Sequence, residues 1–431
     1  MNASNWFKFT AGIAALASIA TVVVPAAPAH AAGFSSGSLV VERIGDGSTT
    51  LTNASAAISV LQVTTSGSLS QTITLPSSGA TPQTDSGSAT SNGYLNTYFS
   101  GGVGYVSVPG LNLATGTASA AGLNVKVNST LDATGNVINR TLFPVGGPSG
   151  TTPGTPAGVS PFSGNNSRSS IATSGSTFYA TGNSSGSPVT AGAWYFDGSA
   201  FTQVSSTATG QVTNLRNVEI YNNQLFFSTG SGTTRGVYSI GSGLPTTSGQ
   251  TATSFINMGT VAEAYGFVLF DTNNDSTLDL AYVADDRTTV TAGGINRFDF
   301  SGGAWSQTGS AFRFDTSSSL LTTGTAASGG SLVAIRGLTG SYDAATSTAT
   351  LFATTTQTSN NSLISFRDTG SLTTSTTFNT LQSAGTNFVF RGVDFSPVSV
   401  PEPSTFAIAA LATLGMAGLI RRRRRAGDSD G

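Results

Sequence analysis

The segment from Asp271 to Asp279 has the residue types and spacing of a metal-binding loop. Side-chain oxygens recur at its first, third, fifth and ninth positions, and the backbone carbonyl of the seventh adds another oxygen. Oxygen ligands spaced in this way can converge on Ca²⁺. The sequence therefore predicts a calcium site, and Ca²⁺ is the only cofactor that it suggests. The predicted ligands are Asp271, Asn273, Asp275, Thr277 and Asp279.

Two departures separate this loop from an EF-hand. Ser276 stands where an EF-hand has glycine, and the twelfth position is Tyr282 instead of a glutamate. The loop resembles the calcium loops between strands of integrin-like propeller blades, because the apolar segment 267–270 precedes it and a further strand follows. The alternative is a turn whose carboxylates accept hydrogen bonds from backbone N–H groups and bind no metal. Both interpretations remain open at this point.

The adjacent carboxylates Asp285 and Asp286 raise the question of glycoside hydrolysis, which uses two carboxyl groups. Neighbouring residues of a strand point to opposite faces, so an exposed turn with Arg287 as counter-ion is the expected arrangement. Trp194 and Trp305 could stack on sugar rings, although aromatic side chains at recurring strand positions are expected in a core. The sequence therefore predicts no catalytic residue.

The composition excludes several kinds of catalysis. The chain of 431 residues has no cysteine, which excludes disulfides, thiol catalysis and thiolate metal sites. Its only histidine, His30, precedes the expected signal-cleavage point, so the mature protein has neither a Ser-His-Asp triad nor histidine-bound zinc. Residues 32–400 contain 12 basic and 17 acidic residues and no basic patch. We therefore expect no nucleic-acid partner.

The body, residues 32–400, has the sequence pattern of an all-β protein. Short runs rich in Val, Ile, Thr, Phe and Tyr alternate with Gly, Asn, Ser and Pro, and no stretch keeps a helical period for three turns. A loose repeat of roughly fifty to seventy residues predicts a β-propeller of six or seven blades. A β-helix and two stacked sandwiches are the alternatives. The repeats begin near Arg168, Arg216, Tyr265 and Arg336.

The two ends of the body are predicted to share one blade. The segment 388–393 comes late enough in the chain to pair with the strand 39–44. Such pairing would close the ring and remove the open sheet edges that a long polar sheet would otherwise expose.

Residues 1–31 have the organisation of a signal peptide. A positively charged start is followed by the apolar stretch 9–24 and then by small residues. Ala29 and Ala31 occupy the two alanine positions of an A-x-A cleavage site. We expect passage through the export machinery and a mature N-terminus near Ala32.

Residues 401–431 form a second segment with its own organisation. The motif Pro401, Glu402, Pro403 is followed by the uncharged stretch 404–420, which would extend about 25 Å as a transmembrane helix. A block of basic residues after such a helix stays on the cytoplasmic side, so the body is expected outside. The block consists of Arg421, Arg422, Arg423, Arg424 and Arg425.

This order of motif, apolar helix and arginine block resembles the PEP-CTERM sorting signal. The resemblance implies recognition by a membrane protease of the exosortase type, cleavage near the Pro-Glu-Pro motif, and production linked to extracellular polysaccharide. The helix would then hold the chain in the membrane only until cleavage. The expected location is the cell envelope, at the outer surface or outside the cell, and a permanent tail anchor is the alternative.

The body is similar to an uncharacterised family of secreted bacterial propellers that often carry the same tail. The segments that suggest it are turns and strands at 41–47, 86–91, 241–245 and 391–393. This resemblance implies a fold and no activity.

Two hypotheses for the body follow. The first is a non-enzymatic propeller that presents loops to polysaccharide or to another surface protein. The alternative is a carboxylate-dependent enzyme acting on carbohydrate. Three or more carboxylates with aromatic residues at one end of the central channel would favour the enzyme, whereas a mouth lined by Ser, Thr and Asn would favour binding.

Overall fold

A computed structural model describes residues 33–145, 160–185, 189–288, 293–315, 320–321, 332–370 and 378–398. In these ranges every element is a β-strand except one turn of 3-10 helix at Ala120–Gly122, which confirms the all-β prediction. None of the helical structure in these ranges is long and apolar enough to cross a membrane.

The first half of the body contains three groups of strands and one short additional strand. The first group is β1 (Ser38–Gly45), β2 (Ser55–Thr64) and β3 (Leu69–Thr74), followed by the short β4 (Thr84–Ser86). The second is β5 (Tyr94–Ser100), β6 (Val103–Leu111), β7 (Lys126–Asp132) and β8 (Val137–Leu142). The third is β9 (Ser167–Ala172), β10 (Phe178–Gly182), β11 (Gly192–Phe196) and β12 (Phe201–Gln203).

The second half repeats this grouping. It contains β13 (Val218–Tyr221), β14 (Gln224–Thr229), β15 (Gly236–Ile240) and β16 (Ala252–Asn257), then β17 (Ala264–Phe270), β18 (Leu280–Asp285), β19 (Gly294–Ser301) and β20 (Ala304–Gln307). Three short strands follow, β21 (Arg313–Asp315), β22 (Leu320–Leu321) and β23 (Leu332–Val333). The last elements are β24 (Ile335–Asp343), β25 (Thr348–Thr355), β26 (Ser362–Asp368), β27 (Asn379–Ser383) and β28 (Phe388–Phe395).

These strands pair as antiparallel meanders of four. The groups β13–β16, β17–β20 and β24–β27 are separate four-stranded sheets, and the small β21–β23 sheet lies between the last two in sequence. The groups β5–β8 and β9–β12 pair in the same order internally, but they are joined with β1–β4 and β28 into one sheet of 13 strands. Two pairings connect these groups. The short β4 pairs with β2 and β6, and β5 pairs with β9 in parallel.

The last strand completes the first group. β28 lies antiparallel to β1 with Leu39 opposite Phe395 and Ile44 opposite Val389, and β1 continues to β2 and β3. This pairing is the one that the sequence predicts for the two ends of the body. The N-terminal strands thus form a four-stranded unit only because the C-terminal strand joins them.

The first strand of each unit lies next to the first strand of the following unit. β28 contacts β5, β5 contacts β9, and β9 contacts β13. The next unit is reached through β14 and β17, after which β17 contacts β24 and β24 contacts β28. These first strands, called inner strands below, surround one axis, which makes the body propeller-like.

Glycines allow the inner strands to approach closely. A Cβ atom on Gly392 would lie 2.6 Å from the backbone nitrogen of Leu95 on β5. One on Gly337 of β24 would lie 2.6 Å from the carbonyl oxygen of Arg391. Both distances are shorter than any that a real Cβ adopts, so a larger residue would push the strands apart.

The apolar cores lie between successive units. One cluster contains Ile171 and Tyr179 of the third group with Val218 and Phe227 of the fourth, and another joins the β17–β20 and β24–β27 sheets. Strands such as β9, β10 and β18 are buried along their whole length because both faces of their sheets are covered.

Candidate functional site

Six residues with long polar side chains lie at one level around the axis, five of them on inner strands and Arg216 two residues before β13. Gly392 donates a hydrogen bond from its N–H to Gly93 O at 2.7 Å, and Tyr94 pairs with Ser169, which places β28, β5 and β9 in register at this level. We call this set the arginine–tyrosine ring. In order around the axis, its members are Arg391, Tyr94, Arg168, Arg216, Tyr265 and Arg336.

The two tyrosines meet across the axis. Tyr94 and Tyr265 come from units on opposite sides of the ring, and their ring centroids are 6.0 Å apart. Arg216 and Arg336 flank Tyr265, with guanidinium carbons 3.8 and 4.8 Å from its centroid. Contacts of this length are favourable cation–π interactions. The ring therefore has two sides. Arg216 and Arg336 are next to Tyr265, and Arg168 and Arg391 are next to Tyr94.

The arginines beside Tyr265 have acidic partners. Arg216 forms an ion pair with Glu263, which also binds Arg235 at 2.8 Å. Arg336 binds Asp286 Oδ2 through Nη2 at 2.6 Å and through Nε at 2.9 Å. Each pair joins neighbouring units, so these carboxylates hold the ring together.

The arginines beside Tyr94 are different. In the part of the chain that the structure describes, neither Arg168 nor Arg391 forms an ion pair. Arg168 donates to Asn214 and to the carbonyl of Leu215, and Arg391 Nη2 donates to the carbonyl of Gly87 at 3.1 Å. The Nε atoms of both are buried without a hydrogen-bond partner among the described residues.

Burial lowers the pKa of both groups. Burial and, to a smaller extent, the nearby Arg216 lower the pKa of Arg168 to about 10. The pKa of Arg391 is also lowered by burial, partly offset by the charge of Asp85 and of Glu42. Burial raises the pKa of Asp85 to about 6 and that of Glu42 well above its usual range. Burial thus acts against the charged form of both arginines.

A second polar group lies further along the inner strands. The carboxylate of Asp394 accepts hydrogen bonds from Thr97 N and Oγ1 at 2.7 Å, from Thr339 Oγ1 at 2.9 Å and from Phe395 N at 2.8 Å. It thereby joins β28 to β5 and β24. Burial and the nearby Asp394 raise the pKa of Glu219 well above its usual range. These two acids interact, but Asp394 is already saturated with donors.

A pocket of about 340 Å³ lies beside the ring at the β13–β16 unit. Eleven residues line it, none of them acidic or basic, and Asn214 among them accepts the hydrogen bond of Arg168. Hydroxyl and amide groups supply its polar atoms, and Tyr238 supplies one aromatic ring. We call it the 210–238 pocket.

The predicted calcium loop is an exposed turn between β17 and β18. Asp271 accepts from the N–H groups of Asp275 and Ser276, Asp275 accepts from Thr277 N at 2.7 Å, and Asp279 accepts from Thr272 N at 2.9 Å. Ser276 adopts the left-handed conformation, with φ of 72°, that an EF-hand gives to glycine.

These hydrogen bonds are the ones expected of a turn that binds no metal, which was the alternative to a calcium site. Asn273 also contributes, donating to Asp275 Oδ2 at 3.1 Å. Among the described residues no three acidic side chains are grouped closely enough to hold a metal ion. Calcium binding by this loop therefore stays a prediction, which needs the turn to rearrange.

Calcium should raise the melting temperature of the protein relative to chelator if the loop binds it. Bound Ca²⁺ would offset the repulsion among three carboxylates, and a ligand that binds only the folded state stabilises it. Asp275→Ala should remove most of the increment, whereas Asp46→Ala, in a similar exposed turn, should leave it unchanged. Equal melting temperatures in millimolar calcium and in chelator would show that the loop is an ordinary turn.

The other sequence candidates are separated by the fold. Asp285 is fully buried and pairs with Arg287, so the predicted counter-ion is correct and the predicted exposure is wrong. Asp286 turns instead to Arg336. Trp194 is a buried core residue, as expected, and its indole N–H donates to Thr190 O at 2.9 Å.

The sequence did not predict the arginine–tyrosine ring. Arg168, Arg216, Tyr265 and Arg336 mark the beginnings of the sequence repeats, which the structure confirms as the first strands of four units. They lie at one level only because their units are arranged around one axis. The other two members of the ring, Arg391 and Tyr94, lie outside the four repeats. Acidic and aromatic residues both occur at this level, since Glu263 and Asp286 bind ring arginines, Asp85 and Glu42 are near Arg391, and the two tyrosines meet across the axis.

The sorting and export residues lie outside the described ranges. These are the cleavage alanines Ala29 and Ala31, the Pro401 to Pro403 motif, the predicted helix 404–420 and the arginine block 421–425. The PEP-CTERM protein-sorting motif matches residues 399–425, which confirms the resemblance of the tail. The match implies export and processing by an exosortase-type protease.

The solved structures to which this chain is similar share little sequence identity with it. A protein assigned as a 6-phosphogluconolactonase from Bacteroides uniformis is 15% identical, with 84% of each chain covered and a TM-score of 0.38. A second with the same assignment, from Bacteroides fragilis, is 12% identical over 80% of this chain and 82% of its own, with a TM-score of 0.39. A quinoprotein alcohol dehydrogenase-like protein from Bacteroides thetaiotaomicron is 10% identical over 83% and 91%, with a TM-score of 0.36. No curated protein matches the chain.

Proposed function

We propose that the chain is an exported, six-bladed propeller of the cell envelope or extracellular matrix whose body binds a neutral polysaccharide without catalysis. Six four-stranded units around one axis, with β28 completing the first, support the blade number. The sorting motif at 399–425 supports the location.

The observation that carries the binding proposal is the lining of the 210–238 pocket. Sugar hydroxyls exchange hydrogen bonds with side-chain hydroxyl and amide groups, and an aromatic ring can cover the apolar face of a sugar. The pocket offers these groups and no charge, which suits an uncharged ligand. Its accessible polar residues are Gln211, Thr213, Asn214, Ser231, Thr233 and Thr234.

The carboxylates near the axis support binding over hydrolysis. Glu263 and Asp286 are held by arginines, and Asp394 by the threonines of two neighbouring strands. A carboxylate fixed in this way is not free to protonate or attack a glycosidic bond. Glu219, next to Asp394, and the buried Glu42 and Asp85, all with a raised pKa and no ion pair among the described residues, keep the carbohydrate-active enzyme as a second candidate function.

Thr213→Arg should abolish retardation of the protein in a native gel containing dextran, a neutral glucan. The long charged side chain would fill a pocket of about 340 Å³ and place an unpaired charge in it. Thr65→Arg is the matched control, because Thr65 is an exposed threonine on the β2–β3 hairpin. Both variants have the same charge, so mobility without dextran should be equal.

Three outcomes separate the candidates. Retardation of the wild type and the control, lost in Thr213→Arg, supports the pocket as a sugar site. Equal mobility of all three proteins with and without dextran and other neutral glycans contradicts it. Release of reducing ends that disappears in Glu219→Gln would favour the enzyme.

A further inference from the structure

The Tyr94 side of the arginine–tyrosine ring has buried positive charge without an acidic partner in ion-pair contact. We propose that Arg168 and Arg391 bind a small oxyanion there, a carboxylate or a phosphate group, on either side of Tyr94. This site borders the 210–238 pocket, because Asn214 lines the pocket and accepts a hydrogen bond from Arg168, but it does not depend on the polysaccharide proposal.

The placement of the two arginines suits a shared ligand. They come from β9 and β28, the inner strands on each side of β5, which carries Tyr94. β9 is paired directly with β5, and β28 is bonded to it through Gly392 and Gly93. Adjacent paired strands are about 4.8 Å apart, so the two backbones are about 10 Å apart at this level. Two arginine side chains can span that distance. To meet at one anion, Arg168 would turn from Asn214 and Arg391 from Gly87, which they contact in this structure.

The guanidinium Nε atoms without a partner also support an oxyanion ligand. Arg168 and Arg391 are 7% and 8% exposed, and each has a buried Nε without a partner among the described residues. The Tyr265 side of the ring provides the contrast, because there Glu263 and Asp286 bind Arg216 and Arg336. Buried guanidinium groups are normally paired with an anion, and carboxylate or phosphate oxygens match their donor geometry.

Charge balance around Arg168 strengthens the assignment. Its nearest charged neighbours are Arg216, which repels it, and Glu263, which is already shared by Arg216 and Arg235. Three guanidinium groups therefore depend on one carboxylate at this part of the ring. Arg391 has Asp85 and Glu42 nearby, but neither forms an ion pair with it. A bound oxyanion would supply the missing negative charge.

The test uses the full-length chain in detergent at constant pH and ionic strength. Inorganic phosphate and glucuronate are titrated separately, with glucose and chloride as uncharged and simple-ion controls. The melting temperature should rise saturably with phosphate, with glucuronate or with both, and the effective anion identifies the source of the oxyanion. Glucose and chloride should give no saturable rise.

Substitutions locate the site. Arg168→Gln and Arg391→Gln should each remove the anion-dependent rise, whereas Arg367→Gln, at an exposed arginine of β26, should retain it. If Arg168→Gln fails to fold, Arg168→Lys preserves the charge but loses the forked geometry, and the concentration for half-maximal effect should increase by about tenfold or more.

A ring that only holds the blades together predicts another result. Arg168→Gln would then lower the melting temperature while leaving any anion response unchanged, or no response would exist in the wild type. Either result overturns the proposal. The wild-type chain should respond to the anion whether or not dextran retards it, which distinguishes failure at this site from failure at the 210–238 pocket.

Discussion

Replacing Pro401, Glu402 and Pro403 by alanine is expected to leave the whole precursor uncleaved in the membrane. The motif lies within the matched sorting segment 399–425, directly before the apolar stretch 404–420. Proline restricts φ to near −65°, and the residue before a proline favours an extended backbone. Three alanines would remove this restriction and the glutamate charge together. Immunoblotting of membrane and released fractions measures the effect as the mass and location of the chain.

A triple substitution beyond the matched segment is the control. Asp428, Ser429 and Asp430 lie after the arginine block, and their replacement by alanine should leave processing intact. Release of the Pro401 to Pro403 variant at the wild-type rate would show that processing does not need the motif, which contradicts the sorting prediction. Charge reversal of the arginine block would then be the next step, because that block is expected to set the orientation.

A chain ending at Gly385 is expected not to fold, whereas a chain ending at Val398 should fold like the wild-type body. The shorter chain lacks β28, which pairs with β1 from Leu39 to Gly45 and carries Arg391 and Asp394. Its loss exposes the edge of β1, removes Val389, Phe390 and Val393 from the core, and opens the ring between β24 and β5.

Apolar burial sets the size of this effect. Burying a large aliphatic or aromatic side chain contributes about 1.5–3 kcal/mol, so three such residues together approach the whole stability of a typical domain. Circular dichroism and limited proteolysis of the two truncated chains measure the outcome. A Gly385 chain with the same melting temperature and protease resistance as the Val398 chain would show that the ring does not depend on closure by β28.

Much of the fold could be predicted because strand patterns are local. The alternation of apolar and polar residues, with glycine and asparagine at turns, identified the first three strands of four units, such as those at Phe178–Gly182 and Gly192–Phe196. The outer strands β12, β16, β20 and β27 were not predicted. Their burial is lower, and the apolar pattern that marks a strand depends on burial.

The β5–β8 unit was also not predicted as a repeat. Its inner strand begins with Tyr94 and continues with the polar Asn96 and Thr97, whose hydrogen bonds go to neighbouring units. Asn96 donates to Ser169, to the carbonyl of Ser170 and to that of Val218. These bonds connect β5 to residues of the β9–β12 and β13–β16 units that are far away in sequence, and a local pattern does not encode such contacts.

The class of fold and the sorting tail follow from the sequence, because they depend on residues close together in the chain or on a terminal motif of fixed order. The pairing of the two ends was predicted from the order of the repeats and joins segments at opposite ends of the body. Which polar residues act together depends on the tertiary structure. Arg168 and Arg391 are separated by most of the body in sequence, yet they flank Tyr94 because the chain returns to its first unit through β28. Likewise Asp285 and Asp286, adjacent in sequence, are divided between Arg287 and Arg336 because the end of a strand directs consecutive side chains to opposite sides. Charge compensation is a property of distances in space, and a ring of repeated units sets those distances through contacts that no local pattern encodes.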